Sequence, residues 1–267
     1  MTNPLVAIDA YFTPFDKSIE NYLLPEKFTF PFEYTPHPLC LLAVEKLQIY
    51  IQKQKEWEHN FGLEQGKAGI IIGKMFGVLL VKTRHNEIGF IAAFSGKLAG
   101  GYHHSKFVPP VFDALTKGSF LNVGMEELTR INQEIKTLQE SKSAENIQKT
   151  EALKKLRKKN SSALQEKLFD QYYFLNQAGK AKNLRDVFQK NSNKNPPSGA
   201  GECAAPKLLH YAFQNNMKPL AMAEFWWGLS PKSAFWKHGH FYPACREKCE
   251  PILSHMLEGM ELDEIRK

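Results

Sequence analysis

Apolar residues recur along this chain with two different rhythms. From Pro38 to about Glu58, leucines together with Val44, Ile49 and Ile51 return at the spacing of one helical face, and Pro38 suits an early helical position. Between residues 69 and 95 the rhythm shortens into dense apolar runs, GIIIGKMFGVLLVKT and EIGFIAAFSG, separated by the polar RHNE, which predicts a β-hairpin. The glycines of that region lack the Gly-Lys-Ser/Thr ending of a phosphate loop and read as strand glycines. From Met125 to Asn176 the helical spacing returns. Leu128, Ile131, Ile135 and Leu138 form a heptad seam, and Leu153, Leu156, Leu164, Leu168, Tyr172 and Leu175 continue an apolar stripe beyond a polar break near Ser141 to Asn146. This spacing predicts an antiparallel, coiled-coil-like helical hairpin.

The polar KNSNKNPPSGAG, Lys190 to Gly201, reads as a loop leading into a helix that carries Leu208, Leu209, Ala212 and Phe213. PLAMAEFWWG, Pro219 to Gly228, reads as a strand, and FYPACREKCEPILSHMLEGM begins a final helix with Pro243 near its start. The N-terminal YFTPFD and FTFPFEYTPHPLC read as extended chain over a core. Together these elements predict an α+β protein with a mixed β-sheet flanked by helices and a helical-hairpin insertion. Its segments are 1–124, the insertion 125–190, and 191–267 packing on 69–124 as one domain.

Composition narrows the partners. The 267 residues are 43% hydrophobic, enough for a sizeable core. No long uncharged apolar run or basic-then-apolar leader occurs, so the expectation is a cytoplasmic protein without a membrane span. A formal charge of +7 favours anionic partners, RNA among them. The stretch KKLRKKN concentrates Lys154, Lys155, Arg157, Lys158 and Lys159 as candidate contacts to RNA phosphates. Trp226, Trp227 and Trp236 are candidates for stacking on unpaired bases.

Four cysteines are too few for a disulfide scaffold, and their grouping points to metal or catalysis. Cys203 heads one helix; Cys245 and Cys249 lie in the first turns of the next, one strand later. Parallel helices on one sheet face place their N-termini at one end, where the positive dipole ends favour thiolates. Three sulfurs plus a water make a catalytic type of zinc site; three plus His210, His238 or His240 make a closed, structural one.

The order of these elements resembles the zinc-dependent nucleobase deaminases, where a helix headed by a His or Cys ligand with a Glu two residues on is followed by a strand and a Pro-Cys-x-x-Cys helix. Here Ala205 stands where that Glu would, and PACREKC is longer than the motif by one residue before Cys245 and one between the cysteines. Glu202 and Glu224 are the candidate replacements for the catalytic acid/base.

FGVLLV, GFIAAFSGKL, FVPPVFD, INQEIKTL, FLNQAG, PPSGAGECAAPKLLHYAF, PLAMAEFWWG and FYPACREKCEPILSHMLEGM, spread from about Gly73 to Met260, resemble the long N-terminal region of some bacterial RluA-type RNA pseudouridine synthases. The resemblance implies an RNA-binding accessory module acting on rRNA or tRNA beside a pseudouridine synthase catalytic domain, in cis or in trans. That family's Arg-Leu-Asp motif is absent, and LRD at Leu184 to Asp186 has the wrong order. The chain is therefore expected to be a fragment or a free-standing relative that does not itself isomerise uridine. A deaminase-like enzyme and a non-catalytic protein-interaction module are the other readings.

Overall fold

The computed structural model describes residues 9–116, 118–141, 143–192 and 195–263. The chain divides into two compact units, residues 1–111 with 173–267, and residues 112–172. The larger unit opens with β1 (Thr13–Pro14), α1 (Pro38–Lys53), β2 (Lys74–Lys82) and β3 (Ile88–Phe94). The smaller unit holds α2 (Phe120–Gln139) and α3 (Ala144–Phe169). The larger unit then resumes with β4 (Tyr173–Leu175), β5 (Ala181–Asn183), α4 (Leu184–Ser192), α5 (Ala204–Gln214), β6 (Lys218–Trp227), β7 (Phe241–Tyr242) and α6 (Arg246–Met256).

The protein is α+β, with a five-stranded sheet of order β1-β3-β2-β6-β7. Every strand pair in it is antiparallel, which corrects the expected mixed sheet. The reason is local: a tight turn at Thr83–Glu87 folds β3 back on one side of β2, and β6 meets the other side running opposite. Among the described residues, parallel pairing is confined to the isolated bridges Phe28–Leu262 and Ala92–Phe107. The sheet also starts later than the apolar pattern suggests. Ile70, Ile71 and Ile72 lie in an exposed loop pinned by the Asn60 amide, which donates to the carbonyls of Lys67, Ala68 and Gly69.

All of β2 from Phe76 to Val81 is buried, so both faces of the sheet are covered. On one face Phe76, Val78, Leu80, Phe90, Phe225 and Trp227 share a core with Leu39, Cys40, Ala43, Val44 and Leu47 of α1. Each such buried Leu or Phe contributes about 1.5–3 kcal/mol relative to exposure. Cys40, the fourth cysteine, is spent here as a small apolar side chain. Strand alternation turns Gly77 and Glu224 to the opposite face, where α5 packs. A Cβ at Gly77 would lie 3.1 Å from both Ala204 Cβ and Leu208 Cδ1. The missing side chain is what lets the first turn of α5 approach the sheet beside Glu224.

The outer edge of β6 is closed by hydroxyls beside the two-residue β7 and past its end. Met222 N–H donates to Thr29 Oγ1 at 3.2 Å. Glu224 N–H donates to the Tyr34 hydroxyl at 2.8 Å, and that hydroxyl donates to the Tyr242 carbonyl at 3.0 Å. These bonds satisfy backbone groups that would otherwise be buried unpaired or offered to another strand.

The smaller unit is held by the packing of α2 on α3. Ser119 and Ser143 cap them, each accepting from the backbone N–H three residues on. Leu128, Ile131 and Ile135 form the buried face of α2, and Gly124 makes room for Leu164 of α3. The long stripe expected on α3 is interrupted: Leu156 is exposed, the helix ends at Phe169, and Leu175 belongs to β4. The reason is that Asp170 caps α3 and the chain turns at Gln171 and Tyr172 into the β4–β5 hairpin.

Candidate metal centre

The stretch GAGECAAPKLL turns sharply before it becomes helix. Gly199 and Gly201 have φ of +75° and +90°, a region where residues with a Cβ are strained, and they deliver Cys203 to the N-cap of α5. Cys245 occupies the same position on α6. Neither cysteine side chain makes a capping hydrogen bond, so both thiols are left for other work. Cys249 lies one turn into α6, and α5 packs against α6. Cys203 Sγ is 4.0 Å from Cys245 Sγ, which is 3.4 Å from Cys249 Sγ, and all three lie within 4.8 Å of one another. Tetrahedral ligation at a Zn–S length of about 2.3 Å implies S···S separations of about 3.8 Å, which these distances bracket. The three cysteines lie close enough to bind one metal ion.

The cluster's charge is unevenly held. Thiol contacts from Cys203 and Cys249 hold Cys245 far below the usual thiol range, at about 2. The same contacts, with burial, push Cys203 and Cys249 upward. Three thiolates this close repel one another, so a cation is needed before all three can be thiolates together. Cys249 is buried, Cys203 half-buried and Cys245 exposed, so the cluster opens to solvent on one side.

The two candidate carboxylates sit in different surroundings. Glu224, 3% exposed, projects from β6 so that Oε1 accepts from Ala205 N–H at 3.3 Å, in the first turn of α5. Its carboxyl group therefore reaches, from the strand, the helix position where the deaminase pattern carries its Glu. Burial raises its pKa to about 8, the Cys245 charge pushing the same way and the Ala205 N–H opposing. Glu202 pairs instead with the buried Lys207 ammonium at 3.5 Å. Lys207 donates to the Phe94 and Gly96 carbonyls at 3.1 Å each, and Gly96 N–H donates to the Glu202 carbonyl at 2.7 Å. Glu202 and Lys207 tie the cysteine loop to the end of β3.

Among the described residues, the set of groups within 4.8 Å of one another contains no histidine or carboxylate beside the three cysteines. His210 Nδ1 accepts from Leu175 N–H at 3.4 Å, and His238 Nδ1 accepts from Gly228 N–H at 3.0 Å. The His240 carbonyl accepts from Trp226 N–H. The sequence reading missed a second pin. Buried His255 of α6 places Nε2 between the carbonyls of Phe174 and Lys180, at 3.0 and 3.2 Å, so His210 and His255 fasten the β4–β5 hairpin to α5 and α6. The short YFLNQAGKAKN is the only local signal for that hairpin.

On α3, Lys154, Lys155, Lys158 and Lys159 are exposed and follow one another around one side of the helix, while Arg157 is half-buried on another side. Lys154 is paired with Glu151 at 2.7 Å. Among the tryptophans, Trp227 is buried in the core and is not a surface group. Trp226 and Trp236 are half-buried and stack on each other at 5.1 Å. Among the described residues no helix is long and apolar enough to cross a membrane. Comparison with protein-family models, with curated proteins and with solved structures finds no match for this chain.

Proposed function

We propose that the chain is a zinc-binding module of RNA modification, with its metal held by Cys203, Cys245 and Cys249. The observation that carries this is the convergence of three sulfurs at the heads of two adjacent helices. An all-thiolate set suits zinc among the common divalent ions. Zinc held by these three sulfurs would supply a polarised water of lowered pKa. The chain's own part is then to hold Cys203 with the Glu202–Lys207 tie and to keep a buried carboxyl group, Glu224, beside the first turn of α5. That carboxyl group, its pKa raised by burial, suits proton transfer to a base nitrogen. This supports a deaminase-like core, in which helix, strand and helix present the cysteines in the order of that family.

The RNA side of the reading is supported by the resemblance to the accessory region of RluA-type pseudouridine synthases and by the +7 charge. On this reading α2 and α3 form a coiled-coil-like hairpin whose exposed lysines meet phosphates, and a pseudouridine synthase catalytic domain acts with it in cis or in trans.

Elemental analysis of the folded, reduced protein, purified without chelator or affinity tag, tests the proposal. About one zinc per chain, lost in the Cys203→Ser, Cys245→Ser, Cys249→Ser triple variant, is the expected result. A folded parent without metal overturns it. Ammonia released from cytosine- or adenine-containing RNA by the zinc form, and abolished in Glu224→Gln with zinc retained, would establish the deaminase part.

A further inference from the structure

Beyond α5 and α6, the sheet face that carries Glu224 ends in a cluster of rings. Glu224 and Tyr242 are directly opposed across β6 and β7, so their side chains share a face, and Trp226 follows two residues along the same strand. Trp236, from the loop between the strands, lies 5.1 Å from the Trp226 ring at 20° and 4.7 Å from the Tyr242 ring. Phe235 packs at 4.8 Å on Trp236 and 5.3 Å on Tyr242, yet it remains 66% exposed. The loop is fixed before any ligand arrives, because the Tyr242 hydroxyl donates to the Phe235 carbonyl and accepts from Lys237 N–H, each at 2.8 Å. Trp226 is seated by the absence of a side chain at Gly73, where a Cβ would fall 2.6 Å from its indole. Tyr242 also stands three residues before Cys245, the exposed thiol of the cluster.

We propose that Phe235, Trp236, Trp226 and Tyr242 form a stacking platform for an unpaired nucleobase of RNA beside the metal centre. This deepens the RNA-directed reading above and rests on it. A cluster serving only to brace the loop has no need of an exposed Phe235. The loop itself, LSPKSAFWKHGH, interleaves its rings with Lys232 and Lys237 and contains no Asp or Glu. Rings among cations fit a base with its phosphate backbone, since every base offers a π-face and single strands carry regular negative charge.

The test uses a labelled single-stranded oligoribonucleotide and its abasic counterpart, with affinity read by anisotropy and stacking by tryptophan emission. The base-bearing strand should quench the emission and bind the parent more tightly than the abasic strand, which should not quench. Phe235→Ala, at an exposed site, should weaken binding by about fivefold or more with zinc content and far-UV dichroism unchanged, and Trp236→Ala by more. Equal quenching by the abasic strand, or unchanged affinity in both folded variants, overturns the platform. Binding that depends on the α3 lysines but not on Phe235 or Trp236 removes the platform alone. A zinc-bearing parent that binds no RNA removes the RNA reading and the platform together.

Discussion

The head of α5 and the middle of α3 both gather like groups, but they do it by opposite means. On α3 the lysines are neighbours in sequence, and the helix spreads them over solvent, where even the Lys154–Glu151 pair is exposed. At α5 the cysteines are drawn from positions 203, 245 and 249, and a carboxylate is brought from 224, so only the completed fold assembles them. Groups clustered by sequence can be read early but are weakly constrained. Groups clustered by folding carry the geometry that coordination demands, and they feel every change in the packing beneath them.

The strongest way to break this contrast is Cys249→Ser. It should lower metal content from about one ion per chain to a small fraction and lower thermal stability in the same preparation, because binding free energy at such sites is also folding free energy. Retained metal would show that the buried cysteine is only packing.

Gly77→Val tests whether the site depends on packing beneath it. Neighbouring atoms already at 3.1 Å leave no space for a branched side chain, so overpacking of about 1–3 kcal/mol should accompany weaker metal retention. A valine tolerated without either change would uncouple the site from the sheet.

His210 gives a pH test of the hairpin that covers the helices. Burial lowers its pKa to about 4, below the ordinary value of 6.5. The folded form resists the proton, so the stability due to neutral His210 is complete above 6.5 and is lost as pH falls toward 4. Between pH 7 and 5 the loss should be about 2 kcal/mol, read by urea unfolding, and His210→Gln should remove that part of the slope. Equal slopes in the two proteins would count against it.

The mildest change is expected on α3. Lys155→Gln with Lys159→Gln should weaken RNA binding a few-fold and flatten its salt dependence, by about 0.7 in logarithmic slope for each phosphate no longer neutralised, with zinc unchanged. A change in zinc content would mean that the two regions are not separate.

What could be read from the sequence follows the same division. The β2–β3 hairpin, α1, α5, β6 and the run of basic residues are local patterns, and Cys203 and Cys245 lie at helix starts as loop and proline signals suggested. The antiparallel sheet, the Glu224–Ala205 bond and the two histidine pins depend on partners far along the chain and leave no periodic trace. Glu202 and Glu224 are both candidates in the sequence, Glu202 being also explained by its place at a helix N-terminus. Tertiary partners separate them: Lys207 engages Glu202, and Ala205 N–H engages the buried Glu224.

The hydroxyls of Thr29 and Tyr34 at the edge of β6 also bear on how the protein is made. LAMAEFWW is apolar, strand-forming and nearly uncharged, the kind of segment that seeks another copy of itself when its edge is bare. Thr29 and Tyr34 leave the ribosome 193 and 190 residues before the β6 groups they bond. By the time β6 emerges Thr29 and Tyr34 have already been synthesised, so vectorial synthesis shortens the interval in which this strand can recruit a neighbouring nascent chain.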